Sequence, residues 1–175
     1  MKRLWTDTEI QKKLKSMVVL VDTREQVWGH IEKSLNSKGV EHKRITIESG
    51  DYSCALPHET GMISLTDEIV IERKASLDEI AGNFTRGRDA FEREFLRAKA
   101  MGTKVILLIE NASWKDVFCH NYKSKLSPKA LEGGLLSWQM KYGITIMFSP
   151  AEYSGELIYT TLYYWLRGRL KLGGF

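Results

Sequence analysis

The stretch Ile69-Val70-Ile71-Glu72-Arg73-Lys74-Ala75-Ser76-Leu77-Asp78 runs an apolar strand into a charged triplet and then into a helix start. Ile69-Val70-Ile71 is β-branched throughout, which favours a buried extended segment. Ser76-Leu77-Asp78-Glu79 has the capping-box pattern, in which a serine and an acid three residues on satisfy the free N–H groups of a new helix. Side chains alternate along a strand, so Val70, Glu72 and Lys74 share one face while Arg73 points to the other. A carboxylate and an amine therefore stand side by side where the strand ends.

Upstream, Met17-Val18-Val19-Leu20-Val21 is a second buried strand candidate, bounded by Asp22. Trp28, Ile31 and Leu35 fall at helical spacing before a stop at Gly39. The stretch 43–47 alternates basic and apolar residues as a strand does, and it leads into Ser49-Gly50-Asp51-Tyr52, where Gly50 permits a sharp turn or bulge. Residues 52–56 are expected to continue the sheet and 57–61 to form a polar turn. Downstream, Gly82, Asn83 and Gly87 loosen the chain after the capping box, and a second helical stretch carries Phe91, Phe95 and Ala98. Residues 105–109 are continuously apolar, the pattern of a strand covered on both faces. Ser127-Pro128 and Ser149-Pro150 each place Pro at the start of a helix, the first running to about Tyr142 and the second to about Arg169, with a strand over 144–148 between them.

Short β-branched runs alternating with helical periods predict an α/β fold, a central mixed β-sheet flanked by helices. Residues 1–16 are expected to be an arm or short helix, and 17–175 one domain. A chain of 175 residues with 43% hydrophobic and 27% charged residues can bury a real core, which excludes a disordered chain or a disulfide-stapled miniprotein. The net charge of +4 permits an acidic partner without demanding one. Cys54 and Cys119 lack metal-ligand spacing and read as reduced thiols. Met1-Lys2-Arg3-Leu4-Trp5 has no apolar run behind it, and no apolar stretch is long enough to cross a bilayer. The expected location is cytoplasmic, with no membrane contact. His30, His42, His58 and His120 are scattered, and no Gly-rich phosphate loop occurs.

Acids fall at or beside three predicted strand ends: Asp22, Asp51 and Glu72. Singly, each reads as a solvated or turn-capping carboxylate. Together with Lys74 they make a hard-cation site, because magnesium takes oxygen ligands and keeps several waters. A neighbouring lysine can orient a water and help it lose its proton, as in-line attack on a phosphodiester requires.

These motifs resemble the XPF-type family of structure-selective DNA nucleases, within the restriction-endonuclease-like superfamily. The family's pattern is Gly-Asp, a spacer, then Glu-Arg-Lys, three residues and Asp. The chain carries Gly50-Asp51, a spacer of twenty residues, then Glu72-Arg73-Lys74 and Asp78. Val21-Asp22-Thr23-Arg24-Glu25 is similar to the family's first acidic motif, and the Ser127-Pro128 helix before Tyr142-Gly143-Ile144 is similar to its later elements. The likeness runs from about residue 17 to about residue 166.

The resemblance implies a three-layer restriction-endonuclease-like core, PD-(D/E)XK in type. It implies a metal-dependent endonuclease acting on branched, flapped or nicked DNA in repair, recombination or replication. Asp22, Asp51 and Glu72 would hold Mg²⁺, with Mn²⁺ as a substitute. Glu25 would assist as a ligand or behind the ligands, Lys74 would activate water, and Arg24 and Arg73 would shape the site or contact phosphate. Asp78 matches the motif's last acid, but an acid in the first turn of a helix is equally explained by the helix dipole. Cellular members usually carry a helix-hairpin-helix module after the nuclease domain. The expectation here is a stand-alone nuclease domain, of the kind a bacteriophage or compact genome encodes.

Between residues 86 and 104 six basic residues (Arg86, Arg88, Arg93, Arg97, Lys99, Lys104) stand against three acids (Asp89, Glu92, Glu94). A solvated helix face explains such a run as well as phosphate contact does. Beside a phosphodiester-cutting site, Arg86, Arg88 and Arg97 become candidate DNA contacts that grip phosphates irrespective of base. The terminal helix carries Leu157, Ile158, Leu162, Trp165, Leu166 and tyrosines at 153, 159, 163 and 164. That stripe reads as core-facing, or as partly burying a second copy in a homodimer, since XPF-type domains pair. Two other readings stand beside the first: a catalytically silent DNA-binding or dimerisation module of the same family, and a nuclease acting on RNA or on DNA ends.

Overall fold

A computed structural model describes residues 4–173. Helix α1 (Asp7–Lys15) opens on a complete capping box, Thr6 with Glu9, and buries Ile10 and Leu14. The elements then follow as β1 (Val18–Asp22), α2 (Gly29–Ser37), β2 (His42–Ile45), β3 (Tyr52–His58), β4 (Gly61–Ser64), β5 (Ile69–Lys74), α3 (Leu77–Arg86) and α4 (Arg88–Met101). The chain continues through β6 (Lys104–Glu110), α5 (Trp114–Phe118), α6 (Pro128–Tyr142), β7 (Thr145–Ser149) and α7 (Ala151–Lys171).

The sheet runs in the order β2-β1-β3-β5-β6-β7, with β4 paired to β3 off this path. Strands β1 and β2 are parallel, β3 is antiparallel to both β1 and β5, and β5, β6 and β7 are parallel. The expected mixed sheet between helix layers is present. Residues 57–61 are a correction: Pro57 and His58 belong to β3 and pair with Met62 and Gly61 of a hairpin, where a turn was expected. Its second strand is nearly all exposed, so no apolar alternation marked it. Gly82 and Asn83 do not interrupt α3, whose only break from α4 is Gly87.

Strand alternation sorts the apolar residues into two cores. Val19, Val21, Tyr52, Cys54, Leu56, Ile69, Ile71, Ile106 and Leu108 face α1, α2 and α7. Leu20, Ala55, Val70, Val105, Leu107 and Ile109 face α3, α4, α5 and α6. Helices α2 and α7 meet closely: a Cβ on Gly155 would lie 2.5 Å from Ser34 Cβ. Most of the α7 stripe is core, since Ile158, Leu162, Leu166 and Leu170 are fully buried while Tyr153 and Tyr164 stay exposed. Among the described residues no helix is long and apolar enough to cross a membrane.

Candidate functional site

Asp51 is placed by its backbone. Its N–H donates to the Ile71 carbonyl at 2.9 Å and its carbonyl accepts from Asp22 N–H at 2.8 Å, so one residue bridges the ends of β1 and β5. Gly50 makes this approach possible. Its φ is +85°, and a Cβ there would sit 2.8 Å from Val70 Cβ. The Asp51 carboxylate then accepts from the Arg73 N–H through Oδ2 at 2.8 Å. Glu72 and Lys74 extend the Val70 row on the α3/α4 side, as strand alternation requires. Asp51, Glu72 and Gly50 line a cleft of about 240 Å³ with Arg24, Glu48, Ser49 and Glu94.

The two acids repel each other. Burial, then the Glu72 charge, pushes the Asp51 carboxyl up to about 7. Burial also raises Glu72, against the opposing pull of Lys74. Lys74 Nζ lies 2.8 Å from Glu72 Oε1 and 3.3 Å from Glu79 Oε1, and 5.1 Å from the centre of the Phe91 ring. Burial alone would lower the Lys74 ammonium, but the Glu72 carboxylate outweighs it and holds the amine charged. Among the described residues, Asp51 Oδ1 and Glu72 Oε2 accept no hydrogen bond. Two oxygens from a carboxylate pair under mutual repulsion suit a divalent cation, and the cleft has room for several waters at ~30 Å³ each. Among the described residues no three acidic, imidazole or thiol side chains form a ready cage. Any metal here would rest on two carboxylates and water, which suits Mg²⁺.

Asp22 uses its carboxylate elsewhere. Oδ1 accepts from Arg24 N–H and Nε at 2.7 Å each, and Oδ2 from Ile47 N–H at 2.6 Å and Arg24 Nη2 at 3.2 Å. Four donors fill its four lone-pair sites. Burial would raise this carboxyl, but the Arg24 guanidinium and the two backbone N–H groups hold it below the usual range. Arg24, exposed over 65% of its side chain, reaches the cleft rim from there and also donates to the Ile47 carbonyl.

Glu25 and Arg73 lie on the other face of the sheet. Arg73 donates through Nε and Nη2 to the two Glu25 oxygens at 3.2 and 3.0 Å, and through Nη1 to Glu110 Oε2 at 2.7 Å. Its remaining bond goes to the Val27 carbonyl at 2.9 Å, and His30 Nε2 meets Glu110 Oε1 at 2.7 Å. Arg73 is 8% exposed and Glu110 2%. The Arg73 guanidinium is therefore a buried tie beneath the Asp51–Glu72 pair, while its N–H holds Asp51.

A family model for the ERCC4 domain matches residues 21–161. The chain belongs to the ERCC4 domain family. This is the XPF-type nuclease family, and the fold agrees with it. XPF from Aeropyrum pernix superposes with a TM-score of 0.63 at 22% identity over 84% of this chain and 60% of that one. XPF from Aeropyrum pernix in complex with DNA gives a TM-score of 0.63 at 22% identity over 87% and 66%. The chain thus spans about two thirds or less of the archaeal XPF chains that it matches. No curated protein matches it in sequence.

Around the cleft of this ERCC4 domain the basic residues differ in their freedom. Arg88 pairs with Glu92 at 2.7 Å and Arg97 with Glu48 at 3.5 Å. Arg86 and Arg93 are exposed beside Gly87 and, among the described residues, pair with no carboxylate. Asp78 is outside the cleft, with its Oδ1 on the backbone N–H groups of Lys123 and Ser124. Sequence reasoning missed Glu94, Glu110 and the Glu79–Lys74 contact. Glu79 carried a signal in the capping box; Glu94 reaches the cleft through the packing of α4 and had none.

Proposed function

We propose that this ERCC4 domain is a divalent-metal-dependent DNA endonuclease that hydrolyses phosphodiester bonds. Branched, flapped or nicked DNA would be its substrate, in repair, recombination or replication. The observation that carries this reading is the Asp51–Glu72 pair: two half-buried, mutually repelling carboxylates, each with an oxygen that accepts no hydrogen bond among the described residues, with the Lys74 ammonium 2.8 Å from Glu72. Asp51 and Glu72 would hold Mg²⁺, or Mn²⁺ in its place. Bound there, the ion would lower the pKa of a coordinated water and offset charge developing on phosphate oxygens.

The chain's own groups supply the rest. Lys74, kept charged by Glu72 and Glu79, orients water and stabilises negative charge at the reacting phosphate, rather than acting as a free-amine base. Asp22 positions Arg24 at the rim, where its exposed guanidinium would meet a phosphate. Glu25 and Arg73 would hold the floor rigid from the far face. Arg86, Arg88 and Arg97 would grip the flanking backbone, the latter two by exchanging a carboxylate for a phosphate. A homodimer through α7 belongs to the same reading, with Tyr153 and Tyr164 as the exposed residues on that helix.

The test is incubation with labelled forked, flapped, nicked and linear DNA in Mg²⁺, Mn²⁺ or chelator. A metal-dependent cut is expected on at least one branched or nicked substrate. In Asp51→Asn and Glu72→Gln, cleavage should fall on the order of 10³-fold or more, the several kcal/mol a metal contributes, while DNA binding persists. Binding without cleavage on every substrate would instead favour a silent binding module.

A further inference from the structure

The first turn of α3 divides its two acids between two tasks. Glu79 turns back to the site, accepting from Ala75 N–H at 2.8 Å and pairing with Lys74. Asp78 turns away, its Oδ1 accepting from Lys123 N–H at 2.8 Å and Ser124 N–H at 2.7 Å. The segment held in this way, 119–127, has an order of its own. The His120 ring donates from Nε2 to the Ser124 carbonyl at 2.9 Å, Tyr122 donates its hydroxyl to the Leu126 carbonyl at 2.8 Å, and Leu126 N–H donates to Ser124 Oγ at 3.3 Å. A loop pinned by its backbone leaves its side chains free for other work.

Those side chains are basic. Lys123 and Lys125 are exposed, as are the flanking Lys115 and Lys129, and among the described residues none of the four pairs with a carboxylate. The one acid between 115 and 129 is Asp116, whose oxygens are taken by Ser113 and Asn121. Elsewhere Lys141 pairs with Glu92 and Lys38 with Glu156, while among the described residues the exposed Lys33, Lys43 and Lys104 pair with no carboxylate but are spread over separate elements. Two exposed ammonium groups without a carboxylate partner on an ordered segment, fastened four residues beyond Lys74 and flanked by Lys115 of α5 and Lys129 of α6, fit a polyanion lying across the end of β5.

We infer that Asp78 is a positioning residue that fastens the 119–127 loop beside the site, and that Lys123 and Lys125 on that loop grip phosphates flanking the one to be cut. The inference rests on the nuclease reading above and adds a second contact region to it, at the opposite end of α3 from the Arg86–Arg88 turn. Binding the flank here fixes the register of the duplex without reading its bases.

The experiment is equilibrium binding of a nicked duplex in chelator across a salt series, so that no strand is cut, together with Mn²⁺ titration of the same proteins. Lys123→Ala/Lys125→Ala removes two exposed side chains that, among the described residues, make no hydrogen bond or ion pair. It should lower the slope of log K against log salt by about 1.8 and weaken binding tens-fold at ~0.1 M salt. Asp78→Ala should move affinity and slope in the same direction, add little when combined with the lysine pair, and leave Mn²⁺ affinity at the parental value. A lysine variant with the parental slope overturns the inference. So does Asp78→Ala if it loses Mn²⁺ affinity with its DNA slope intact, which would make Asp78 a metal ligand. If the parental protein itself bound no DNA, the nuclease reading would fall with it; parental binding with unchanged variants sinks the inference alone.

Discussion

At the scale of single residues, Asp51 is held in place whatever its charge. Its backbone bridges β1 and β5, and its carboxylate is drawn in by the Arg73 N–H. This enforces proximity to Glu72 and raises the Asp51 carboxyl to about 7 from an ordinary 3.8. A carboxyl that binds its proton more tightly folded than unfolded stabilises the fold at low pH. That contribution is complete below about pH 4 and is lost as pH rises through about 7. The raised Glu72 acts in the same direction, whereas the Glu92 carboxyl, held at about 2 by Arg88, Trp138 and Tyr142, opposes it only in more acidic solution. Thermal melts in chelator should therefore give a lower Tm at pH 8 than at pH 5.5, and Asp51→Asn should flatten the difference. A parental Tm that rises over this interval contradicts the electrostatic account. The sequence made Asp51 a candidate through Gly50, but not the reason Asp51 is strained electrostatically, because that depends on a β1–β5 bridge formed only in the folded sheet.

At the scale of elements, β5 carries opposed tasks on its two faces, and this was legible from alternation alone. Glu72 and Lys74 continue the row of Val70, and Arg73 continues that of Ile69 and Ile71. What Arg73 meets was not legible: Glu25 arrives from the turn after β1 and Glu110 from the end of β6, both far away in sequence. Removing the guanidinium strips the nearly buried Glu25 of its counter-charge and leaves Glu110 with His30 alone. Arg73→Met should cost about 3–5 kcal/mol in urea unfolding at neutral pH. Its Mn²⁺ affinity, measured on the fraction that remains folded, should fall less than in Glu72→Gln, because the Arg73 backbone N–H survives the substitution. A stability within about 0.5 kcal/mol of the parent would show that the far-face cluster ties nothing together. Asp22 taught the converse lesson. Its position at a strand end is that of a ligand, yet its donors come from the turn at Arg24 and from Ile47, 25 residues on and brought up by the pairing of β1 with β2, neither of which periodicity encodes.

At the scale of the whole molecule, the sheet sorts the sequence into two cores whose boundary is the site. The alternating apolar runs made the α/β architecture readable, and the Ser-Pro pairs marked α6 and α7, the second with its Pro150 as N-cap just before Ala151. The unread parts were those with little apolar content or length: strand β4, almost wholly exposed, and α5, five residues long. Neither contributes to the cleft. The ERCC4 domain match over residues 21–161 runs from the end of β1 to the first half of α7, and so contains both the Asp51–Glu72 pair and the basic segments proposed to flank it. Whether those two carboxylates act as one divalent-ion site is read directly by Mn²⁺ titration followed by electron paramagnetic resonance. The parental protein should bind one strongly held ion, with affinity reduced at least about tenfold in Asp51→Asn and in Glu72→Gln. Parental affinity in both variants would place the metal elsewhere and remove the site on which the proposed nuclease rests.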